Sequence, residues 1–125
     1  EQVEKGSCVL SMKVTSALMN AAGVVHGGAV FTMADIACAI AANSHNKTSL
    51  TINGNINFLT SAKKGDTLLA RTKEVALGNT MANYQVEIMR QSDNTLIALF
   101  NGAVFRKKSS VISSDNQANK QCATY

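Results

Sequence analysis

The stretch that decides the fold runs from Gly27 to Asn43 and reads GGAVFTMADIACAIAAN. After its two glycines it is rich in Ala, Met and Ile and contains no Pro, which favours an α-helix from Ala29 to Asn43. A helix on the surface of a globular protein normally has one polar face. This segment is apolar nearly all round, so we predict a buried helix that a single curved sheet wraps.

The segments around this helix have the composition and the two-residue alternation of β-strands. Five strands are predicted, over residues 7–15, 49–59, 68–77, 81–90 and 96–106. Short turns separate the last four, which we expect to form an antiparallel meander. One helix with five antiparallel strands is an α+β arrangement.

Alternation also predicts which side chains share a face of a strand. In residues 49–59, one face is expected to carry Ile52, Ile56 and Phe58, and the other Thr51, Asn53, Asn55 and Asn57. In residues 81–90, Tyr84, Val86 and Ile88 are expected to lie on one side.

The chain of 125 residues suits one domain. We expect this domain to span residues 1–107, and the polar, Ser/Asn/Gln-rich residues 108–125 to form a disordered tail. Hydrophobic residues make up 46% and charged residues 16%, which is typical of a globular protein. The longest apolar stretch, residues 29–42, is interrupted by Thr32 and Asp35 and is too short to cross a bilayer, so we expect no membrane association.

Charge, aromatic content and cysteine spacing argue against several classes of partner. The net charge of +4 is too small to require nucleic acid, and 5% aromatic residues with no Trp offer little for bases to stack on. A mild positive field still suits an anionic small molecule such as a phosphorylated cofactor. Cys8, Cys38 and Cys122 have no CxxC spacing, so neither a metal site nor a redox pair is predicted, and a reducing, cytoplasmic compartment is expected.

Asp35 is the only residue between Lys13 and Lys47 that carries a full charge at neutral pH. A lone carboxylate in a buried helix costs several kcal/mol unless it is paired, hydrogen-bonded or solvated in a cleft. Such a group is a candidate general base or nucleophile. A structural aspartate, hydrogen-bonded to a neighbour such as Thr32, explains the same pattern, and the residues alone leave both interpretations open.

The start of the helix offers a second candidate feature. Gly27 and Gly28 lack side chains, so a ligand can approach their backbone closely. The first N–H groups of a helix are unpaired and lie at the positive end of its dipole, which makes an oxyanion or phosphate site. A plain glycine-rich turn is the alternative, and His26 before it is either structural or a ligand contact.

Helix geometry constrains how these two features act together. Gly27 and Asp35 are eight residues apart, so they lie roughly 12 Å apart along one helix at ~1.5 Å per residue. A single small reacting group cannot touch both. If both act on one substrate they come from different chains, with two helices side by side and antiparallel, which predicts a symmetric dimer with two interface sites.

Residues 20–35, NAAGVVHGGAVFTMAD, resemble the active-site segment of hotdog-fold acyl-CoA thioesterases of the phenylacetic-acid-degradation type. Residues 55–59, 62–66 and 98–102 are also similar to this family. The resemblance implies a long central helix in a curved antiparallel five-stranded sheet, and homodimers that often pair into tetramers. It implies hydrolysis of acyl-CoA without a metal or a separate cofactor, CoA being part of the substrate.

The resemblance also implies roles for particular residues. Asp35 would activate water or attack the thioester, and the N–H of Gly27 would bind its oxygen. Asn20 would help to position the water or the substrate, and His26 would support the site. Thr51, or Asn53 if the strand register slips, would help to orient the water. For the substrate, Gly28 adjoins the oxyanion site, and the candidates near the CoA nucleotide are Lys63, Lys64, Arg106, Lys107 and the loop Gly78, Asn79 and Thr80.

Departures from related families narrow the chemistry. Residues 36–42 of the helix contain no Glu. Another thioesterase branch and the hotdog dehydratases both need such a Glu, so neither mechanism is expected. The main alternative is a non-catalytic hotdog module that binds acyl-CoA as a sensor or partner subunit, which does not need Asp35. A structural protein without a ligand leaves the buried charge unexplained.

Overall fold

The computed structural model describes residues 2–21 and 23–108, and the predicted tail is therefore outside the described residues from 109 onward. It contains one long helix and one antiparallel sheet, which confirms the predicted α+β hotdog arrangement. In chain order the elements are β1 (Gln2–Glu4), β2 (Ser7–Lys13), a 3-10 helix (Ser16–Leu18), α1 (Gly27–Asn43), β3 (Ser49–Phe58), β4 (Thr67–Leu77), β5 (Met81–Arg90) and β6 (Leu96–Arg106). Within the described residues no helix is long and apolar enough to span a membrane.

The sheet has six strands rather than five, in the order β1-β2-β4-β5-β6-β3. The additional strand, β1, has only three residues and pairs with β2, so it is too short to show an alternating pattern. The predicted four-stranded meander was wrong in one respect, because β3 pairs with β6 rather than with β4. β4 already has β2 on one side and β5 on the other, which leaves no place for β3 beside it. As a result β3 forms an edge of the sheet.

A β-bulge in β3 changes the predicted faces of that strand. Thr51 lies opposite Val104 and Asn53 lies opposite Ala103, which leaves Ile52 as the extra residue. Val104 is fully buried, so Thr51 points to the helix side, whereas Asn53 points to the outer side of the sheet. The expectation that Thr51 shares a face with the asparagines was therefore wrong, because the bulge shifts the two-residue period by one.

The core lies between α1 and the inner face of the sheet. The helix packs against all six strands, and Tyr84, Val86 and Ile88 are buried on the same face of β5, as predicted. The helix, however, is not buried all round. Ile36 of the helix is 48% exposed, and Gly28 and Thr32 are exposed on the same side. One chain therefore covers the helix only partly and leaves an open stripe, formed by Gly28, Thr32, Asp35 and Ile36.

Candidate active site

Asp35 lies at the edge of the open stripe and is half-buried. Its Oδ1 atom is fully buried and has no hydrogen-bond partner among the described residues. The hydroxyl of Thr32 donates to the carbonyl oxygen of Gly28 at 2.8 Å rather than to Asp35. The structural role in which Thr32 satisfies Asp35 is therefore not supported, and Oδ1 is a buried carboxylate oxygen whose hydrogen-bonding capacity is not met within the described chain.

Cys38 lies one turn further along α1 and is fully buried. Burial first, and then the charge of the nearby Asp35, raises the pKa of the Cys38 thiol to about 12. The thiolate is the reactive form of cysteine, and this thiol is almost entirely protonated at neutral pH. Cys38 thus packs as a small apolar residue, as expected from its apolar surroundings.

The N-terminal end of α1 presents two backbone donors. The carbonyl oxygen of His26 accepts from the N–H of Ala29 at 3.1 Å and from that of Val30 at 3.3 Å. Across the part of the chain that the structure describes, the N–H groups of Gly27 and Gly28 have no acceptor, as expected in the first turn of a helix. The side chain of His26 is exposed and makes no capping hydrogen bond. An anion at this end meets two free N–H groups and the positive end of the helix dipole.

The two glycines differ in what surrounds them. A Cβ atom built on Gly27 would lie 3.0 Å from Cζ of Phe58, so the Phe58 ring covers this glycine closely. A Cβ atom built on Gly28 would meet no described atom within 4 Å. Gly27 is therefore the position where a side chain interferes with the neighbouring strand, whereas Gly28 opens onto free space.

Two cavities lie on either side of this glycine pair. The first, which we call the Gly27 cavity, has a volume of about 350 Å³ and is bounded by Gly27 and by Val24, Val30, Phe58, Leu59, Thr60 and Ser61, among others. The second, the Gly28 cavity, has a volume of about 460 Å³ and is bounded by Gly28 and by Leu10, Met12, Leu18, Ala29, Met33 and Ile36, among others. Met33 and Ile36 border the second cavity and Phe58 borders the first, whereas the buried Tyr84 borders neither.

Asn20 shapes the loop that leads into the helix. Its Oδ1 accepts from the N–H of Val24 at 3.3 Å, and its own N–H donates to the carbonyl oxygen of Val24 at 2.8 Å. The N–H of His26 donates to the carbonyl oxygen of Leu18 at 2.7 Å. These bonds fix the entry into α1 and hence the direction of its first N–H groups.

The two residues considered for orienting water lie on opposite faces of the sheet. Thr51 is on the helix side of β3. Asn53 is on the outer side and borders a groove with Asn55, Asn83 and Asn101. Within one chain, Asn53 therefore does not meet the residues of the helix.

The basic residues Lys63 and Lys64 lie near the N-terminal end of α1. Their turn is tied to the helix entry because the N–H of Val25 donates to the carbonyl oxygen of Ala62 at 3.0 Å. Arg90 holds the same turn, since it donates to the carbonyl oxygen of Ser61 at 3.0 Å and to Asp66 at 3.2 Å. Arg90 was not predicted, because Ser61 and Asp66 lie more than twenty residues away along the chain; it also donates to Asp93, three residues on, at 3.0 Å.

The other predicted nucleotide contacts lie at the opposite end of the helix. Nη1 of Arg106 donates to the carbonyl oxygen of Gly78 at 2.5 Å. The backbone N–H of Arg106 donates to the carbonyl oxygen of Thr80 at 2.7 Å. Lys47, four residues beyond the end of α1, donates to the carbonyl oxygen of Asn79 at 2.9 Å. The 17 residues of α1 separate this loop from Gly27 by roughly 25 Å within one chain.

A charged cluster that sequence analysis missed anchors the C-terminal end of α1. Nε2 of His45 lies 2.6 Å from Oε2 of Glu74, and the hydroxyl of Tyr84 donates to the same oxygen at 2.9 Å. Burial favours a higher pKa for Glu74, but the hydrogen bonds from His45 and Tyr84 and the charges of His45 and Arg106 outweigh it and hold the pKa below its ordinary value. One signal in the sequence could have indicated this position. In the alternation of β4, Glu74 falls on the same face as the buried Leu68, Ala70 and Thr72.

Among the residues described, no group of three or more His, Cys, Asp or Glu side chains is arranged to hold a metal ion. α1 thus carries two backbone donors at its N-terminal end, where two cavities lie, and a carboxylate about two turns further along.

Comparison with known proteins agrees with this geometry. The family model described as "Thioesterase superfamily" matches residues 22–97. A "Putative esterase" of Archaeoglobus fulgidus is 43% identical over 84% of this chain and 68% of that protein. "Acyl-coenzyme A thioesterase PaaI" of Escherichia coli is 35% identical over 83% of this chain and 74% of its own length. The structure of the E. coli PaaI protein superposes with a TM-score of 0.83, at 33% identity, over 86% of this chain and 77% of that chain.

A third similar protein is a hypothetical thioesterase of Streptococcus pneumoniae, whose structure contains coenzyme A. It superposes with a TM-score of 0.84 at 25% identity, over 88% of this chain and 85% of that chain. Two further structures of that protein carry alanine in place of an aspartate and in place of a threonine sixteen residues after it. The family match and these relatives show that the chain belongs to the thioesterase superfamily, as a hotdog-fold enzyme of the PaaI type.

Proposed function

We propose that the protein hydrolyses acyl-CoA thioesters to a free acid and CoA, with Asp35 of one chain acting at the Gly27 N–H of a second copy. The observation that carries this proposal is the buried Oδ1 of Asp35, which has no partner in the described chain although it shares α1 with two unpaired N–H groups. The E. coli and S. pneumoniae relatives support CoA esters as the substrate class.

The proposed chemistry uses few groups. The thioester oxygen accepts a hydrogen bond from the Gly27 N–H, which stabilises the negative charge that develops on it. Asp35 either removes a proton from the attacking water or attacks the carbonyl carbon itself, giving a mixed anhydride that water then hydrolyses. In both cases the C–S bond breaks and CoA leaves as the thiol after protonation. No metal or separate cofactor is needed.

The two-chain arrangement follows from distances in one chain. Gly27 and Asp35 are separated by roughly 12 Å along α1, so they reach one carbonyl only from two antiparallel helices. The midpoint between them is Phe31, which places the two-fold axis near this residue. The open stripe on α1 and the free edge of β3, where Ile52 is 57% exposed, are surfaces that a second copy would cover. A dimer of such dimers, as the family resemblance implies, extends the same proposal.

Supporting roles are proposed for three further residues. Asn20 fixes the loop that leads into α1, and His26 borders the start of the helix. Thr51 orients the attacking water. Thr51 follows Asp35 by sixteen residues, which equals the separation of the aspartate and threonine that were replaced in the S. pneumoniae thioesterase. The helix-side position of Thr51 is consistent with this role.

The antiparallel dimer also brings the two groups of candidate nucleotide contacts closer together. The partner's Asp35 lies beside Gly27, so the partner's helix extends roughly 12 Å past the N-terminal end of α1. Its Gly78–Thr80 loop is then on the same side as Lys63 and Lys64. We propose that Lys63 and Lys64 attract the CoA phosphates. Arg106 supports the loop through its bond to Gly78.

The test is thiol release from a panel of acyl-CoAs by the wild type and by Asp35→Asn. Loss of the base or nucleophile is expected to lower turnover by ~10²-fold or more. Glu4→Gln makes the corresponding carboxylate-to-amide change on the exposed strand β1 and is the control, with turnover close to wild type. A folded Asp35→Asn protein with unchanged turnover contradicts the proposal. CoA-ester binding without any hydrolysis by the wild type favours the non-catalytic module instead.

A further inference from the structure

We propose that the outer face of the sheet is a second self-association surface, on which a second copy of the proposed dimer docks through uncharged amide side chains. This surface, which we call the outer patch, consists of three rows of side chains that run across β3, β6 and β5. The rows are Leu50–Phe105–Met81, Asn53–Ala103–Asn83 and Asn55–Asn101–Gln85. The outer patch lies on the opposite side of the sheet from α1 and contains neither Asp35 nor Gly27.

The outer patch is exposed and uncharged. Phe105 and Met81 lie opposite each other on β6 and β5 and are 42% and 40% exposed, and all four asparagines of the patch are exposed as well. The charged residues of this face begin beyond the patch, at Lys73 opposite Gln85 and at Glu87 further along β5. Exposed apolar side chains rimmed by polar ones mark interaction sites, and the cores of protein–protein interfaces are depleted of charged residues. The composition of the outer patch is therefore that of an interface.

The amides indicate that the partner is a second copy of this chain. Asn53, Asn55, Asn83 and Asn101 border one groove of about 330 Å³, and none of the four side chains forms a hydrogen bond with another described residue. A primary amide carries both donors and acceptors, so it pairs with an identical amide. In a two-fold symmetric interface each patch meets its own copy, where like charges repel and amides do not. A charged partner, such as a nucleic acid or an acidic peptide, gains no counter-ion from this surface.

The position of the outer patch near the proposed dimer axis determines how large the contact is. A Cβ atom built on Gly54, between Asn53 and Asn55, would lie 3.3 Å from Cζ of Phe31, the residue near which the two-fold axis is placed. The edge strands β3 of two chains therefore meet near the axis, and their outer patches lie side by side. With ~4.8 Å between strands and ~6.8 Å between alternate residues, three rows of three positions cover about 300 Å² per chain.

This area distinguishes a single chain from a dimer as the partner. Two single chains in contact would bury only about 600 Å², which is the size of a crystal-packing contact. Two dimers would bury about 1,200 Å², which reaches the range of specific interfaces. The partner on the outer patch is therefore a second dimer.

The test is sedimentation velocity of the protein over a range of concentrations, with thiol release from acyl-CoA measured on the same samples. The wild type should form tetramers. Asn101→Asp places a carboxylate in every copy of the patch, so the dimer–tetramer dissociation constant should rise by ~10²-fold or more. Turnover per chain should stay within about twofold. Asn101→Lys should behave in the same way, and an equimolar mixture of the two variants should restore tetramers, because opposite charges then meet.

Gln2→Glu is the matched control, because it makes the same change from amide to carboxylate on β1, at the other edge of the sheet. It should leave the tetramer intact. A wild type that stays a dimer at every concentration overturns the proposal, whether or not another protein binds the patch. Tetramers that persist in Asn101→Asp, or that dissociate equally in Gln2→Glu, also overturn it. Dissociation of Asn101→Asp to inactive monomers would mean that the outer patch forms the catalytic dimer itself, which overturns the separation of the two surfaces. A wild-type tetramer without thioesterase activity contradicts the proposed function and leaves the outer patch as the contact.

Discussion

At the residue scale, the thiol of Cys38 is the second side chain on α1 that could be considered as a nucleophile besides Asp35. It lies one helical turn beyond Asp35, and burial together with the charge of Asp35 raises its pKa to about 12. Only ~10⁻⁴ of the thiol is ionised near pH 8, so Cys38 is not the nucleophile. We expect Cys38→Ala to keep turnover within about twofold while it loses roughly 1 kcal/mol of stability through lost packing.

Thiol-specific alkylation followed by mass spectrometry provides the direct measurement for Cys38. The native protein should modify Cys38 slowly and keep its activity, whereas the unfolded protein should react readily. Inactivation that runs in parallel with rapid modification of Cys38 in the native protein would assign a catalytic role to this thiol and contradict the account.

The sequence predicts those site residues whose pattern lies within one short segment, and it does not predict those that depend on contacts between distant segments. Asp35 is visible because it is a lone charge in an apolar segment, and this pattern needs no knowledge of the fold. The face of Thr51 was predicted wrongly, because the bulge at Ile52 depends on pairing with β6. Glu74 and His45 were missed as a pair, since 29 residues separate them and only the folded sheet brings them together.

At the element scale, Arg90 controls the turn that carries Lys63 and Lys64. It donates to the carbonyl oxygen of Ser61 and to the carboxylate of Asp66. Arg90→Met removes both of these bonds and the bond to Asp93. We expect KM for acyl-CoA to rise about tenfold while kcat stays within about twofold, because uniform binding is lost without loss of the chemical step. Steady-state kinetics test this, with Arg71→Met on β4 as control. A fall in kcat at unchanged KM would contradict this role.

The cluster at the C-terminal end of α1 makes stability depend on pH. Because the folded state lowers the pKa of Glu74, the ionised carboxylate favours folding, and this contribution is lost as the pH falls through the lowered value. We expect the midpoint denaturant concentration for unfolding to be lower for Glu74→Gln than for the wild type at about pH 5. At about pH 3 the two midpoints should be nearly equal. Exposed Glu4→Gln is the control. A difference that grows on acidification would reverse the expected sign.

The elements themselves were predicted well and their arrangement less so. The helix follows from its length and composition, and the five longer strands follow from their composition and alternation, which each segment carries by itself. The place of β3 at the edge next to β6 depends on β2 occupying the other side of β4, and alternation within one strand says nothing about its neighbours. The open stripe on α1 was missed for the same reason, because one chain does not supply enough sheet to enclose the helix.

At the scale of the whole molecule, the central claim is that each site takes Asp35 from one chain and Gly27 from another. Two variants isolate these contributions. Asp35→Asn removes the carboxylate, and Gly27→Pro removes the N–H, since proline has none. Proline is tolerated at the first position of a helix, and the extended conformation of His26, with φ −63° and ψ 134°, suits the residue before it. Gly27→Ala keeps the N–H and controls for the contact of the new Cβ with Phe58.

The most direct measurement is the thioesterase activity of an equimolar mixture of Asp35→Asn and Gly27→Pro chains after subunit exchange. Each variant alone should be nearly inactive. Random exchange makes half of the dimers mixed, and each mixed dimer has one intact site of two, so the mixture should regain roughly a quarter of wild-type activity. A mixture no more active than the two variants measured separately would contradict the cross-subunit site.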